Sequence, residues 1–487
     1  MDLNLIAEGR QPKLQFFNAT DKEQILTGAL QVLEEFGMQI LHPEARDLLH
    51  KAGCSLGADH MVSIPSHLVS QAVETAPNSI AVYNREGQAA MDLGGYRSYY
   101  GPGSDLMYTL DGSSGERRES RLEDVQRAAL VCDALPNIDF LMSSAYPNEI
   151  PASKSYLVSF QAMSEHSSKP IVCTAEGKRD LSRMRDIACL HRESPEDLAD
   201  RPYFVHYAEP ISPRKHPFDS LDKLVFCADT TIPCIYSPAP ISGSTAPMSI
   251  AGHVVQGLAE SLCGLVIHQL RNPGAPFLMG MGAAVLDMAT SQCSYNAPEY
   301  YLAYMATVEM SHYLDLPSWG YAGTSDAQIP DGQAVLESGY QTLLATLAGA
   351  NLNHDVGYLN FGLTGCLEMI VITNETIELA KRLKKGIPVN EASLGLQAIK
   401  EVGHQGHYLT HAHTMEHLRS TQWRPDLFSR PGYEAWDQKG RQTLLQRATQ
   451  RLEEILRHHE AFPLEQGKLD QIQAIVEAPF ADSKMAV

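Results

Sequence analysis

Short apolar runs ending in small or polar residues, each followed by a stretch with helical apolar spacing, recur eight times between about Ser98 and Gly386. The runs are Ser98–Gly103, Asn137–Ser144, Lys169–Ala175, Tyr203–Pro210, Pro233–Pro238, Pro276–Ala283, Leu316–Gly323 and Leu352–Leu359. Leu181–Leu190, Gly252–Leu270, Tyr300–Leu314 and Val335–Ala348 carry the helical pattern between them. Strands buried on both faces read as near-continuous apolar runs, and Lys169-Pro-Ile-Val-Cys-Thr-Ala is one such run. Eight strand and helix alternations predict an α/β chain folded as a (β/α)₈ TIM barrel.

A barrel takes about 250 residues, so a chain of 487 leaves material at both ends. The pattern divides it into an N-terminal helical or cap region (1–97), the barrel (98–386) and a C-terminal helical extension (387–487). Asp21–Phe36 and Ile64–Thr75 are expected as helices that pack on the barrel or cap its N-terminal mouth. Gln442–His459 is an amphipathic helix of the extension.

The net charge of −20, with no long run of Lys or Arg, argues against a nucleic-acid binder. No stretch approaches the roughly 18 uninterrupted apolar residues of a membrane span. The polar opening Met1–Asp21 is unlike a signal peptide, which points to the cytoplasm. Nine cysteines without a C-x-x-C pair fit a reducing compartment, with Cys173, Cys234 and Cys366 as small buried apolar groups.

Catalytic groups of such barrels come from the C-terminal ends of the strands and the loops that follow. Those ends supply Tyr99, Tyr100, Ser104 and Asp105; Ser144 and Tyr146; Thr174 and Glu176; His206 and Glu209. They continue with Tyr236 and Ser237; Met279 and Met281; Tyr321, Asp326 and Gln328; His354, Asp355 and Tyr358. Tyrosine and acid dominate while Arg and Lys are scarce. That lining suits a cation, since aromatic faces and carboxylates attract a quaternary ammonium, and it does not suit a phosphorylated sugar. Some of these tyrosines are expected simply to pack at strand ends. His404, His407, His411, His413 and His417 form a second cluster, whose irregular spacing favours structural or substrate contacts over a zinc site. At least one of them is expected to face the barrel opening.

Four segments resemble the trimethylamine methyltransferase family, in its branch without pyrrolysine. They are Glu209-Pro-Ile-Ser-Pro, Gly243-Ser-Thr-Ala-Pro-Met-Ser-Ile-Ala-Gly, Thr324-Ser-Asp-Ala-Gln-Ile-Pro-Asp-Gly-Gln-Ala and Gly349-Ala-Asn-Leu-Asn-His-Asp-Val-Gly. They fall in order on the predicted barrel loops, and the resemblance runs over nearly the whole chain. It implies a (β/α)₈ barrel that passes a methyl group from an amine to the cobalt corrinoid of a separate small protein. Trimethylamine enzymes of the family place pyrrolysine in the loop matching Ser325–Asp331; here that loop is ordinary, and Gln328 stands at the matching position. Relatives without pyrrolysine use quaternary amines, so glycine betaine, giving dimethylglycine, is the expected substrate, with proline betaine, carnitine and γ-butyrobetaine as alternatives.

The implied reaction is an in-line displacement by Co(I), to which the chain contributes positioning and electrostatics. Tyr100, Tyr321 and Tyr358 are candidates to pack round the trimethylammonium, and Glu209 or Asp326 to balance its charge. His206, His354 and Gln328 are candidate donors to the substrate carboxylate. Aromatic contacts are favoured over a direct ion pair, because positive charge fades toward the transition state. The corrinoid is expected on the partner and no metal is required in this chain. The resemblance and the apolar helices also imply a homo-oligomer. Two readings from other classes remain: a metal-dependent barrel lyase or hydrolase, and a non-catalytic betaine-binding protein.

Overall fold

The computed structural model describes residues 11–478. Its centre is a closed barrel of seven short parallel strands and one bridge, one from each predicted run. Ile171–Cys173, Phe204–Ala208, Cys234–Tyr236 and Phe277–Met279 pair in that order. A bridge from Met279 to Ser318 leads to Trp319–Tyr321, which pairs with Leu352–His354 and then Tyr99–Tyr100. The second run is reduced to a bridge between Leu141 and Ile171. It closes on the first strand through the Asp139 N–H, which donates to the Tyr100 carbonyl at 2.6 Å, and the Asp139 carboxylate, which accepts the Tyr100 N–H at 2.9 Å.

Proline marks where several strands begin. Pro170, Pro233, Pro276 and Pro317 have no N–H to offer, yet each carbonyl accepts a bond from the preceding strand. The ladder therefore starts one residue later, at a defined register.

Eight helices cover the barrel, including Lys178–Cys189, Ile250–Arg271, Pro298–Tyr313 and Gly332–Ala348 in the places the spacing predicts. Ile250–Arg271 is long and apolar enough to cross a membrane, but every residue from Gly257 to Gln269 is buried. The helices Ala19–Gln31, Pro43–Lys51 and Ser66–Thr75 pack on its outer side, which accounts for its apolar character all round.

The pleat sorts the strand residues into two sets. Phe140, Met142, Val172, Val205, Ile235, Leu278, Trp319 and Leu352 point inward and form a single apolar cluster. The hairpin Ser79–Tyr83 with Ala89–Gly94 inserts Ile80, Val82, Met91 and Leu93 beneath these side chains. It is tied to the strand starts by Tyr83 N–H to the Pro202 carbonyl and Arg85 N–H to the Ser168 carbonyl, each 2.8 Å. The N-terminal region thus both packs on a barrel helix and plugs the N-terminal mouth.

At the other end, Leu444–His458 starts at a capping box made by Thr443 and Gln446 and lies against Leu122–Ala134 and Leu367–Lys384. Gln466–Glu477 lies against Ala152–His166 and Lys178–Cys189. The intervening helices Glu391–Leu394, Leu396–Val402, Ala412–Thr421 and Tyr433–Gln438 bury only Ala398. Ile387, Leu396, Leu409, Met415 and Tyr433 stand exposed there.

Lys169 joins the second and third barrel units. Its ammonium donates to the carbonyls of Cys132, Leu135 and Ile138 at 2.6–2.7 Å, satisfying the end of Leu122–Ala134 and the turn after it. Lys169→Met leaves those carbonyls without their donor and should lower unfolding stability by about 2–4 kcal/mol, read from the urea midpoint. An unchanged midpoint would show that the turn holds without it.

Candidate functional site

A cavity of about 470 Å³ opens at the C-terminal mouth of the barrel, within the range of small-molecule sites. Its floor is formed by the next inward-facing residues above the apolar cluster. Thr174, Tyr207, Tyr321 and His354 each stand two residues beyond Val172, Val205, Trp319 and Leu352. The mouth loops add Asp105, Glu209, Tyr295, Asp355 and Tyr358, and the helix Phe218–Thr230 adds Lys223. Among the described residues Lys223 is the only Lys or Arg lining the cavity.

The aromatic wall is continuous. His354 stacks on Trp319 with centroids 4.0 Å apart and lies 4.5 Å from Tyr321; Tyr207 is 5.5 Å from Trp319. Tyr304 and Tyr300 back Tyr321 at 5.4 and 6.0 Å, edge on, and Tyr295 meets Tyr300 at 5.7 Å. The Tyr304 hydroxyl accepts the Tyr321 N–H at 2.8 Å and donates to Asn353 at 3.0 Å, which holds that corner rigid.

Three carboxyls, one ammonium and one imidazole share this space with the phenols. Asp105 accepts from Ser143 at 3.1 Å and from Thr174 at 2.9 Å, and burial raises its pKa. Glu209 opens into the cavity yet is surrounded by protein, which pushes its carboxyl up, while the Tyr207 hydroxyl donates to it at 3.0 Å. Lys223 donates to the Ala175 carbonyl at 2.7 Å, and desolvation lowers its pKa. Asp355 is 4% exposed, and burial alone holds its carboxyl well above the usual range. Its one ionisable partner is His354, whose Nε2 is 3.2 Å from Oδ1; desolvation drops that imidazole to a pKa of about 3. Gly103 allows the close approach, since a Cβ there would sit 2.5 Å from Asp355 Oδ1 and 2.1 Å from the Tyr358 oxygen. Asp105 and Asp355 both hold left-handed backbone, with φ of 62° and 77°, as fixed mouth residues often do.

Of the residues singled out from sequence, Glu209, Tyr321, His354 and Tyr358 come together here. The Tyr358 hydroxyl donates to the Ser104 carbonyl at 2.6 Å, pinning the eighth loop to the first. Tyr100 does not reach the mouth. It points outward, fully buried, with its hydroxyl 2.6 Å from Thr346. His206 also faces outward, with Nδ1 3.9 Å from Cys173 Sγ. Both lie one residue out of step with an inward position, which the pleat turns into the opposite face.

Asp326 spends its carboxylate on Ser294 Oγ at 2.5 Å and on the N–H groups of Tyr295 and Asn296 at 3.1 and 3.2 Å. It is a positioning residue for the Tyr295 turn and is absent from the cavity wall. Gln328 is exposed, and its amide donates to the Asp326 carbonyl at 3.0 Å.

The histidine-rich segment departs from expectation. None of its histidines lines the cavity. His411 Nε2 lies 3.0 Å from Glu401, His413 Nε2 lies 3.3 Å from the Ala392 carbonyl, and the rings of His413 and His417 are 4.2 Å apart. Arg382 anchors the segment through the Thr421 carbonyl, close to Lys384, which bonds Ser98 where the first strand begins. The last barrel helix has carried the chain to the end opposite the mouth. Among the described residues no group of three or more His, Cys, Asp or Glu side chains is placed to hold a metal ion.

Reading strand ends without their parity passed over Tyr207 and gave Asp355 no role. The alternation that places Trp319 and Tyr321 inward would have selected Tyr207 over His206. Tyr295 and Lys223 reach the cavity from a turn and a helix, and no strand pattern marks them.

Comparison with known proteins places the chain in context. A family model described as trimethylamine methyltransferase (MTTB) matches residues 4–481. The chain is 28% identical over 462 residues to the trimethylamine methyltransferase MttB of Desulfitobacterium hafniense, covering 95% of this chain and 93% of the relative. It is 28% identical over 479 residues to that of Methanosarcina barkeri, covering 96% and 95%. A glycine betaine methyltransferase of Desulfitobacterium hafniense matches at 26% over 452 residues, covering 92% and 93%. Among solved structures, the Methanosarcina barkeri monomethylamine methyltransferase (MtmB) aligns with a TM-score of 0.48 and 13% identity, over 90% of this chain and 94% of that one.

If Asp326 positions the Tyr295 turn, Asp326→Ala should speed amide hydrogen exchange at residues 294–297, where its carboxylate now holds two N–H groups. Unchanged protection at those amides would mean that the turn is held by its own contacts.

Proposed function

The chain belongs to the trimethylamine methyltransferase family and is a methyltransferase, and from that premise we propose that it takes a methyl group from a quaternary amine, foremost glycine betaine, and delivers it to the corrinoid of a partner protein. Dimethylglycine is the product. The observation that carries this reading is Asp355, a buried carboxyl that among the described residues forms no ion pair with a Lys or Arg, set among Tyr207, Tyr295, Tyr321 and Tyr358. A buried acid is tolerated when a cation joins it. Tyrosine faces around it attract a quaternary ammonium without needing a hydrogen-bond donor from it.

Relatives named for trimethylamine and for glycine betaine match at 28% and 26%, too close to choose a substrate. The loop Ser325–Asp331 bears on the choice. Gln328 there is exposed and bonded to its own loop, so it offers no special electrophile to the cavity. A quaternary nitrogen needs none, since it leaves as a neutral tertiary amine. The remaining end of a betaine is a carboxylate. Lys223 stands as its partner on the cavity wall, which Thr174 and Ser220 also line, in place of the donors expected from sequence, His206, His354 and Gln328.

The chain's own work is positional. The rings confine the trimethylammonium and keep water from it, and Lys223 sets the long axis of the substrate so that one N-methyl faces the opening. When bound, the corrinoid supplies the nucleophile that accepts the methyl group. The rim offers it a surface: Met107, Ile211, Met248, Met288, Ile329 and Leu363 are exposed, one on each of six mouth loops. An apolar ring round an open site fits a protein partner that carries its cofactor to the mouth. The exposed apolar residues of 387–433 support contact between copies of this chain.

Purified protein with a reduced corrinoid should demethylate glycine betaine and leave trimethylamine unchanged, followed by the corrinoid spectrum and by dimethylglycine release. Comparable turnover of trimethylamine, or activity lost to a chelator and restored by zinc, would overturn the reading. Tyr321→Ala and Tyr358→Ala should each weaken glycine betaine binding by about 1–2 kcal/mol, the scale of a desolvated cation–π contact. Wild-type affinity in both, by calorimetry, would reduce those rings to packing. Lys223→Met should weaken glycine betaine while sparing tetramethylammonium, which has no carboxylate; an equal effect on both would assign Lys223 to the fold.

A further inference from the structure

One hydrogen bond and one close contact of His354 determine how many protons its pair with Asp355 carries. His354 Nδ1 is 2.8 Å from the Gly320 carbonyl. A carbonyl only accepts, so Nδ1 carries the hydrogen of that bond. Nε2 is 3.2 Å from Asp355 Oδ1. A bare imidazole nitrogen facing an ionised carboxylate would set two lone pairs against each other, and both side chains are buried. The two atoms meet closely without forming a hydrogen bond, so that clash is relieved by one further proton carried by the pair. It belongs to the pair, whichever atom it sits on.

We propose that this shared proton occupies the place of the substrate's positive charge, and that a quaternary ammonium entering the cavity drives it out to solvent. The proposal deepens the reading of the site as a quaternary-amine pocket and rests on it. Charge balances at each stage: the pair is neutral with its proton, and the ionised pair is neutralised by the bound cation. When the methyl group leaves, its nitrogen keeps the bonding electrons and becomes a neutral amine. The ionised pair then has no counter-charge and takes a proton back from water, which favours release of the product. A fixed anion would hold the cationic substrate too firmly for its own reaction. A carboxyl that ionises only while the cation is present lessens that cost.

Among the described residues no Lys or Arg forms an ion pair with Asp355. The phenols of Tyr207, Tyr295, Tyr321 and Tyr358 face it, and burial keeps all four neutral by raising their pKa values. Tyr300 and Tyr304 behave alike from behind. Glu209 and Asp105 add acid, with their own carboxyls pushed up by burial. Lys223 bonds the Ala175 carbonyl, and among the described residues it forms no ion pair with Asp355.

Proton release is measured on the intact protein by titration calorimetry at pH 6, with tetramethylammonium chloride and with glycine betaine, in buffers of different ionisation enthalpy. The expected slope is close to one proton released per cation bound for both ligands. Affinity should rise about tenfold per pH unit below the pair's pKa and level off above it, since the ligand prefers the deprotonated form. Asp355→Asn keeps a donor toward Nε2 but has no proton to lose, so whatever binding it retains should be independent of buffer. Tight binding of either cation by the wild type with no proton released at pH 6 would overturn the proposal and leave the proposed function standing. No binding of either cation would overturn both.

Discussion

In a closed barrel only every second side chain of a strand can enter the interior, and the rest of this molecule is arranged around that constraint. The inward set begins with an apolar cluster running from Phe140 to Leu352 and continues upward into Thr174, Tyr207, Tyr321 and His354. The outward set meets the helices, and there Tyr100 bonds Thr346 and His206 lies against Cys173. One residue of displacement along a strand thus separates a ligand contact from a packing contact.

The layered interior explains why a site open at its mouth can still bury its acid and its imidazole. Beneath it, Trp319 and its neighbours rest on a hairpin inserted from the N-terminal region, so the floor is closed to water from below. Above it, loops from most of the barrel units meet over the cavity. Tyr358 is tied to Ser104, and Tyr295 is held by Asp326. In that enclosure a carboxyl such as Asp355 cannot rely on solvent, and its state depends on what occupies the space beside it. The cavity's affinity for a cation follows from the burial that shapes it.

The two extensions serve different surfaces. The N-terminal helices cover Ile250–Arg271, an element apolar enough to be mistaken for a membrane span when considered alone. The C-terminal extension binds firmly only where Leu444–His458 and the helix after it find barrel helices to lie on. Between them, helices that bury almost nothing present apolar side chains at the end away from the mouth.

The eight-fold barrel was legible in the sequence because buried parallel strands leave apolar runs, and helices of the right period separate them. Glu209, Tyr321, His354 and Tyr358 could be picked from strand ends and the loops just after them, because chain position alone brings such residues to the mouth. The fate of Asp326 and Gln328 could not, since both lie in the same loop and only its fold decides that their groups bond to backbone. By itself the sequence determined the architecture and the rim on which the chemistry sits, both written in nearest-neighbour spacing. Tertiary structure alone decided that Asp355 lacks a cationic partner and that Tyr295 and Lys223 join it. Those facts depend on distances between segments far apart in the chain, which no local pattern records.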